Sequence, residues 1–168
     1  LGDVNIVNST FSGNTSTTWH GGGIFHTDGS LGVTNSTFKD NNSPAGTASA
    51  IIVANFGAPA YATLSNNVIE QSLGSTACHI EGAPAATITS GGGNVIGDDT
   101  CNPDVSDLEF TDALLGPLTD NGGPTLTHAP GAGSPAIDLA VGVCPATDQR
   151  GFARPLGAGC DSGSVELE

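Results

Sequence analysis

Asn8-Ser9-Thr10-Phe11-Ser12-Gly13-Asn14 recurs as Asn35-Ser36-Thr37-Phe38-Lys39-Asp40-Asn41, 27 positions further along the chain. The residues between keep the same register, so that Gly23-Ile24-Phe25 maps onto Ala50-Ile51-Ile52. Leu64-Ser65-Asn66-Asn67-Val68-Ile69 is a weaker third copy at an offset of 31, and Gly93-Asn94-Val95-Ile96 a fourth, 27 further on. Within each period apolar residues alternate: Val4, Ile6 and Phe11 correspond to Leu31, Val33 and Phe38. Alternation over short runs broken by Gly, Asn, Asp and Ser predicts strands joined by turns. A unit of this length is too short for a propeller blade and lacks the leucines of a leucine-rich repeat. It suits one coil of a parallel β-solenoid, with about three short strands and three turns per coil. Four such coils, stacked at the inter-strand spacing, predict a rod of about 20 Å.

The asparagine column at Asn8, Asn35 and Asn66 predicts an amide ladder, in which identical side chains hydrogen-bond up the stack. Asparagine also tolerates the left-handed backbone that a sharp corner requires. Three sequons, at Asn8, Asn14 and Asn35, fit the glycosylation acceptor pattern. Because they fall on the repeat itself, the ladder-and-corner reading is preferred. The glycine triplets at 21–23 and 91–93 read as tight corners.

From Asp98 the period fades. Residues 98–168 hold 12 of the 17 acids together with Arg150 and Arg154, whereas the first 97 hold five acids and Lys39. Prolines at 103, 117, 124, 130, 135, 145 and 155 suit an extended wrap better than further coils. The division expected is coils over 1–97 and a C-terminal cap or wrap of the same domain over 98–168. A solenoid needs such a closing element, because an unpaired last coil is an open sheet edge. The N-terminal edge at Leu1 carries no visible cap, so upstream coils or self-association are expected to cover it. A chain that begins at Leu1 and contains no Met reads as a piece of a longer precursor.

Four cysteines suggest two local disulfides, Cys78–Cys101 and Cys144–Cys160, since neither pair has the close spacing of a zinc site. Bridges of that loop length contribute about 3 kcal/mol and imply an oxidising compartment. Four free buried thiols are the alternative.

With those pieces in place the C-terminal run becomes recognisable. Leu115-Gly116-Pro117-Leu118-Thr119-Asp120-Asn121-Gly122-Gly123-Pro124-Thr125-Leu126-Thr127-His128 resembles a signature of bacterial surface proteins termed choice-of-anchor Q domain proteins. Ser134-Pro135-Ala136-Ile137-Asp138, Thr147-Asp148-Gln149-Arg150-Gly151, Arg154-Pro155 and Cys160-Asp161-Ser162-Gly163 continue it in order, so the resemblance covers residues 93–166. Upstream, Gly21-Gly22-Gly23-Ile24 and Phe11-Ser12-Gly13-Asn14 are similar to the GGA-I and F-x-x-N repeats of polymorphic outer-membrane proteins. The chain departs at Ser164-Val165, where the family usually carries Ala and an aromatic before the acid, here Glu166. The resemblance implies a secreted or surface-displayed right-handed β-helix with a structural or adhesive role, and it implies no catalytic residues.

Composition constrains function further. The formal net charge is −14 with three Lys and Arg in all, which argues against nucleic-acid binding, whose affinity rests on several basic contacts. Anionic membrane surfaces are disfavoured on the same ground, and no apolar run approaches a membrane-spanning length. Pectate-lyase-like chemistry needs an acidic calcium cluster and a Lys or Arg base, but the coils hold Lys39 alone, placed on the turn after Phe38. Polygalacturonase-like chemistry needs acids converging from neighbouring coils. Asp3, Asp28 and Asp40 fall at different points of the period, and Glu70 and Glu81 do no better. His26, Val53 and His79 read as one column, with the histidines two coils apart and too far to share a metal. His20 reads as a solvent-facing turn residue. Asp148, Arg150 and Arg154 read as structural ion-pair or carbonyl-binding anchors of the cap. Asp98, Asp99 and Asp104 are weak calcium candidates; otherwise no cofactor is expected.

The expectation is therefore a non-enzymatic extracellular or cell-surface β-helix, a stalk or adhesive module whose partners would be glycans or surface proteins. The alternative is a carbohydrate-active β-helix with its active site upstream or diverged. A remoter option is an ice-binding solenoid, suggested by Thr87-Ile88-Thr89 and Thr125-Leu126-Thr127.

Overall fold

The computed structural model describes residues 2–17, 21–43, 48–72 and 74–167. The reading of His20 falls outside them, as does Leu1. Among the described residues eleven strands form three parallel sheets. The first coil supplies β1 (Asp3–Val7), β2 (Thr10–Ser12) and β3 (Ile24–Thr27). The second supplies β4 (Gly29–Thr34), β5 (Thr37–Lys39) and β6 (Ala48–Ala54). The third supplies β7 (Ala60–Ser65), β8 (Val68–Ile69) and β9 (Thr76–Glu81), after which come β10 (Ala86–Ser90) and β11 (Val95–Ile96). Strand orders β1-β4-β7-β10, β2-β5-β8-β11 and β3-β6-β9 define a parallel β-solenoid. Its register follows the repeat: Val4 pairs with Leu31, Phe11 with Phe38, Val33 with Leu64 and Val68 with Val95.

The coil count is lower than the four expected. About three turns are complete, and the fourth stops after two strands. Where a third strand would lie on β9, side chains take its place: Asp98 accepts from Ala77 N at 2.8 Å, and Thr100 Oγ1 accepts from Cys78 N at 2.9 Å. Cys101 then bonds to Cys78, locking the end of that sheet. Such groups satisfy the edge donors without offering a new edge.

The bore of the solenoid is narrow and apolar. Leu31, Val33, Phe38, Ile51, Val53, Leu64, Ile69, Ile88 and Ile96 fill it, with Ala50, Ala62, Ala77 and Ala86 where the walls approach. Phe11 stacks on Phe38 with the rings nearly parallel and their centroids 4.7 Å apart, and Ile69 and Ile96 continue the column. At the opposite end Val4 and Val7 are exposed, while Ile6, Phe11 and Ile24 are only partly covered. β1, β2 and β3 are the end strands of their sheets there.

The C-terminal segment does more than close one end. Leu108 extends the second sheet by pairing alongside Val95, and the chain then folds back over that sheet's outer face. Val68 and Val95, which point outward, are buried against Ala113 and Ala136 with Leu108, Leu115 and Leu139 packed around them. Burying a valine completely contributes about 1.5–3 kcal/mol, so this second core binds the wrap to the coils. No helix among the described residues is long and apolar enough to cross a membrane.

Candidate functional site

The corner column shows first how coils and wrap are joined. Asn8, Asn35 and Asn66 have φ of 48°, 46° and 57°, the left-handed corner that asparagine tolerates. Gly93 occupies the same place in the fourth coil at φ 69°, and a Cβ there would sit 2.3 Å from Asn66 Oδ1. The expected ladder does not form on this column. The left-handed backbone turns these amides away from one another and towards the wrap. Asn8 Nδ2 donates to Thr147 O at 2.7 Å, Asn35 Nδ2 to Asp161 O at 3.1 Å, and Asn66 Nδ2 to Val141 O at 3.1 Å. Asn66 Oδ1 accepts in return from Val141 N, whereas Oδ1 of Asn8 and of Asn35 is buried without a donor. Asn35 is fully buried, so its sequon is closed in the folded chain.

The ladder stands one residue later. Ser9 N donates to Ser36 Oγ, Ser36 N to Asn67 Oδ1, Asn67 N to Asn94 Oδ1 and Asn94 N to Asp107 Oδ1, at 2.7–3.2 Å. Asn67 and Asn94 also bond amide to amide. Asp107, an acceptor only, ends the series where no further coil follows. A shorter ladder joins Asn14 to Asn41.

Beside this column the wrap touches coil after coil. Ser162 Oγ donates to Gly93 O, Gly163 N to Asn66 O at 2.8 Å, and Ser164 N to Thr37 Oγ1 at 2.9 Å. Thr10 of the first coil bonds both Gln149 and Ser164, and Ser12 Oγ lies 2.8 Å from His128 Nε2. Gly163 has φ 91°, and a Cβ would meet Thr37 Oγ1 at 2.9 Å and Val68 Cγ2 at 3.0 Å. The wrap therefore spans the coils from fourth to first.

Asp148, Arg150 and Arg154 hold that segment in shape, together with Asp161 and Glu166, which were not singled out from the sequence. Arg154 pairs with Glu166 at 2.7 Å, both side chains fully buried, and donates to the carbonyls of Asp161 and Gly163. Arg150 pairs with Asp148 at 2.8 Å and donates to Asn121 O. Burial pushes the Asp148 carboxyl up, but hydrogen bonds from Glu166 N, Arg150 and Phe152 N outweigh it and hold it below its ordinary value. Burial raises Asp161, partly offset by the amides of Asp138 and Leu167. Burial lowers Arg154, opposed by Glu166.

The remaining candidates separate. Cys78–Cys101 and Cys144–Cys160 are both bridged, the chemistry of an oxidising compartment. Asp98 and Asp104 are spent on nearby amides and hydroxyls, and Asp99 is exposed. Among the described residues no three His, Cys, Asp or Glu come together as a metal site. His26 pairs in register with Val53, but Val53 pairs with Ile80 and His79 with Ile52. The two histidines are therefore on different columns, a correction to the single column expected.

One constellation escaped the sequence reading. Lys39 closes strand β5 instead of lying on a turn. It forms a salt bridge with Glu70, which follows β8 in the next coil. The offset of 31 that relates the second and third copies carries residue 39 onto 70, and 27 more reaches Gly97. Lys39, Glu70, Gln71 and Gly97 thus leave the second sheet side by side. Phe110, Thr111 and Asp112 of the wrap complete a cleft of about 360 Å³ around them. Gln71 Nε2 is held by Gly97 O, Thr111 Oγ1 by Glu109 O, and Asp112 Oδ1 accepts from Leu114 N. Glu70 Oε1 is shielded from solvent and receives no hydrogen bond. Phe110 is 69% exposed and has φ 50°, an uncommon conformation for a bulky aromatic.

No family model, curated protein or solved structure matches the chain.

Proposed function

We propose that the chain is a non-enzymatic structural and binding module of an extracellular or cell-surface protein of the choice-of-anchor Q kind. It acts as a rigid stalk end or adhesive surface, and glycans or other surface proteins are its partners. The observation that carries this reading is the wrap, which bonds the first coil at Asn8, Thr10 and Ser12 and the last at Gly93. A solenoid whose ends are tied together resists fraying from either end, as a load-bearing rod on a cell surface must. The open N-terminal edge, with Val4 and Val7 exposed, is where a further coil or a second copy would stack. Calcium on Asp98, Asp99 and Asp104 stays outside the proposal, since Asp98 and Asp104 already accept from protein donors. Ice binding is disfavoured because one outward column of the first sheet runs Asn5, Gly32, Thr63, Thr89, which is threonine in only two coils.

Incubating the protein with a panel of neutral and uronic-acid polysaccharides tests the reading. No release of oligosaccharide is expected. Turnover at about 1–10³ s⁻¹, ordinary for enzymes, would overturn it and favour a carbohydrate-active β-helix.

A further inference from the structure

The cleft at the exit of the second sheet combines features that no structural role of the wrap requires. An exposed aromatic ring, Phe110, stands beside an amide, a hydroxyl, an ammonium and two carboxylates, each with hydrogen-bonding capacity to spare. Lys39, the only lysine of the chain, uses one of its three donors, on Glu70. Asp112 accepts from Leu114 N through Oδ1 alone.

The chemistry selects among ligands. A divalent cation is a poor fit, because the Lys39 ammonium already sits on the Glu70 carboxylate. Phosphates and uronates are repelled, since two carboxylates face one lysine that is itself compensated. An unfunctionalised peptide strand finds no free sheet edge here, because Leu108 and Thr111 already pair with the last strand of this sheet. What remains is a neutral, hydroxyl-rich molecule with an apolar face for the ring. A cleft of about 360 Å³ lies at the small end of ligand sites, room for one or two pyranose rings.

We propose that this cleft binds a neutral saccharide, with the C–H face of a sugar ring stacked on Phe110. Its hydroxyls donate to Asp112 Oδ2 and accept from Lys39. The inference rests on the reading of the chain as a binding module and names the ligand class of that module. It also locates recognition where coil and wrap meet, so that the ligand contacts both at once.

The test is a two-dimensional amide NMR titration of the whole chain with cellobiose, maltose, mannobiose and diacetylchitobiose, and with digalacturonate as the charged control. At least one neutral disaccharide is expected to give saturable shifts confined to residues 39, 70, 71, 97 and 110–112. Affinity should be millimolar, as suits a shallow site, and digalacturonate at least about tenfold weaker. Phe110→Ala, an exposed substitution expected to leave the thermal midpoint unchanged, should weaken binding at least about tenfold, and Asp112→Asn about threefold or more. Absence of saturable shifts with all four neutral sugars overturns the proposal, and so does equal binding by Phe110→Ala or by digalacturonate. None of those results touches the structural reading, which fails instead if polysaccharide is turned over.

Discussion

Asn8 and Asn67 share the asparagine-rich corner, but the structure gives them different tasks. Asn67 is an internal rung: its Oδ1 accepts from the coil below and its Nδ2 donates to Asn94 and to Val33 O. Asn67→Ala strands those buried partners and should cost about 1–3 kcal/mol. Asn8→Gly, which keeps the left-handed corner, removes one exposed bond to Thr147 O and an already unpaired Oδ1, and should cost under about 1 kcal/mol. Urea unfolding of the two variants checks the order; equal losses would return the ladder to the corner column. The pH dependence follows from the carboxylates of the buried network. Asp148 titrates below its ordinary value when folded, so its stabilisation is complete above about pH 4 and is lost as pH falls through its folded value. Asp161 titrates above its ordinary value, so its contribution has the opposite sign: stability falls as pH rises from about 4 through its folded value. Asp148→Asn should flatten the acid limb of a stability–pH curve, and Asp161→Asn should remove the decline just above it. A curve unchanged in shape by either variant would contradict the assignment.

At the scale of the strand and the corner, much was legible in advance. The offsets of 27, 31 and 27 predict the pairings of Val4 with Leu31, Val33 with Leu64 and Ile69 with Ile96, because inward residues must match from coil to coil. The position of the ladder was not legible, since two adjacent polar columns repeat equally well and only backbone φ decides which one faces the next coil. Lys39 and Glu70 were within reach, given the offset of 31, once Lys39 was assigned to a strand. Phe110 and Asp112 were not, because the wrap has no period and its contacts join residues remote in sequence. The end of the third sheet yields its own prediction. Cys78 and Cys101 clamp a strand whose next neighbour is missing. The double variant Cys78→Ala/Cys101→Ala should lose about 2–4 kcal/mol, and β9 amides should exchange faster than those of β7. Uniform exchange across both strands would show that Asp98 and Thr100 suffice to close the edge.

On the scale of the whole molecule, a stack of coils ordinarily behaves as a one-dimensional array whose end units open first. Here the wrap crosses that array and bonds the first coil as well as the last, while its own shape depends on the buried pair Arg154–Glu166. The acidic, base-poor composition acquires a local meaning from this arrangement, because both arginines serve the wrap and the one lysine serves the cleft beside it. Coils and wrap are therefore expected to open as one unit, and native-state hydrogen exchange on the protein and on a Glu166→Gln variant measures whether they do. Glu166→Gln takes from buried Arg154 the carboxylate it contacts and should cost about 3–5 kcal/mol. The amides of Asn8, Gly13 and Gly23 in the first coil should be as protected as those of Asn66 and Val68 in the third. Both sets should lose that protection together in the variant. First-coil amides that exchange well ahead of the third in the native protein, or coil protection untouched by Glu166→Gln, would contradict it.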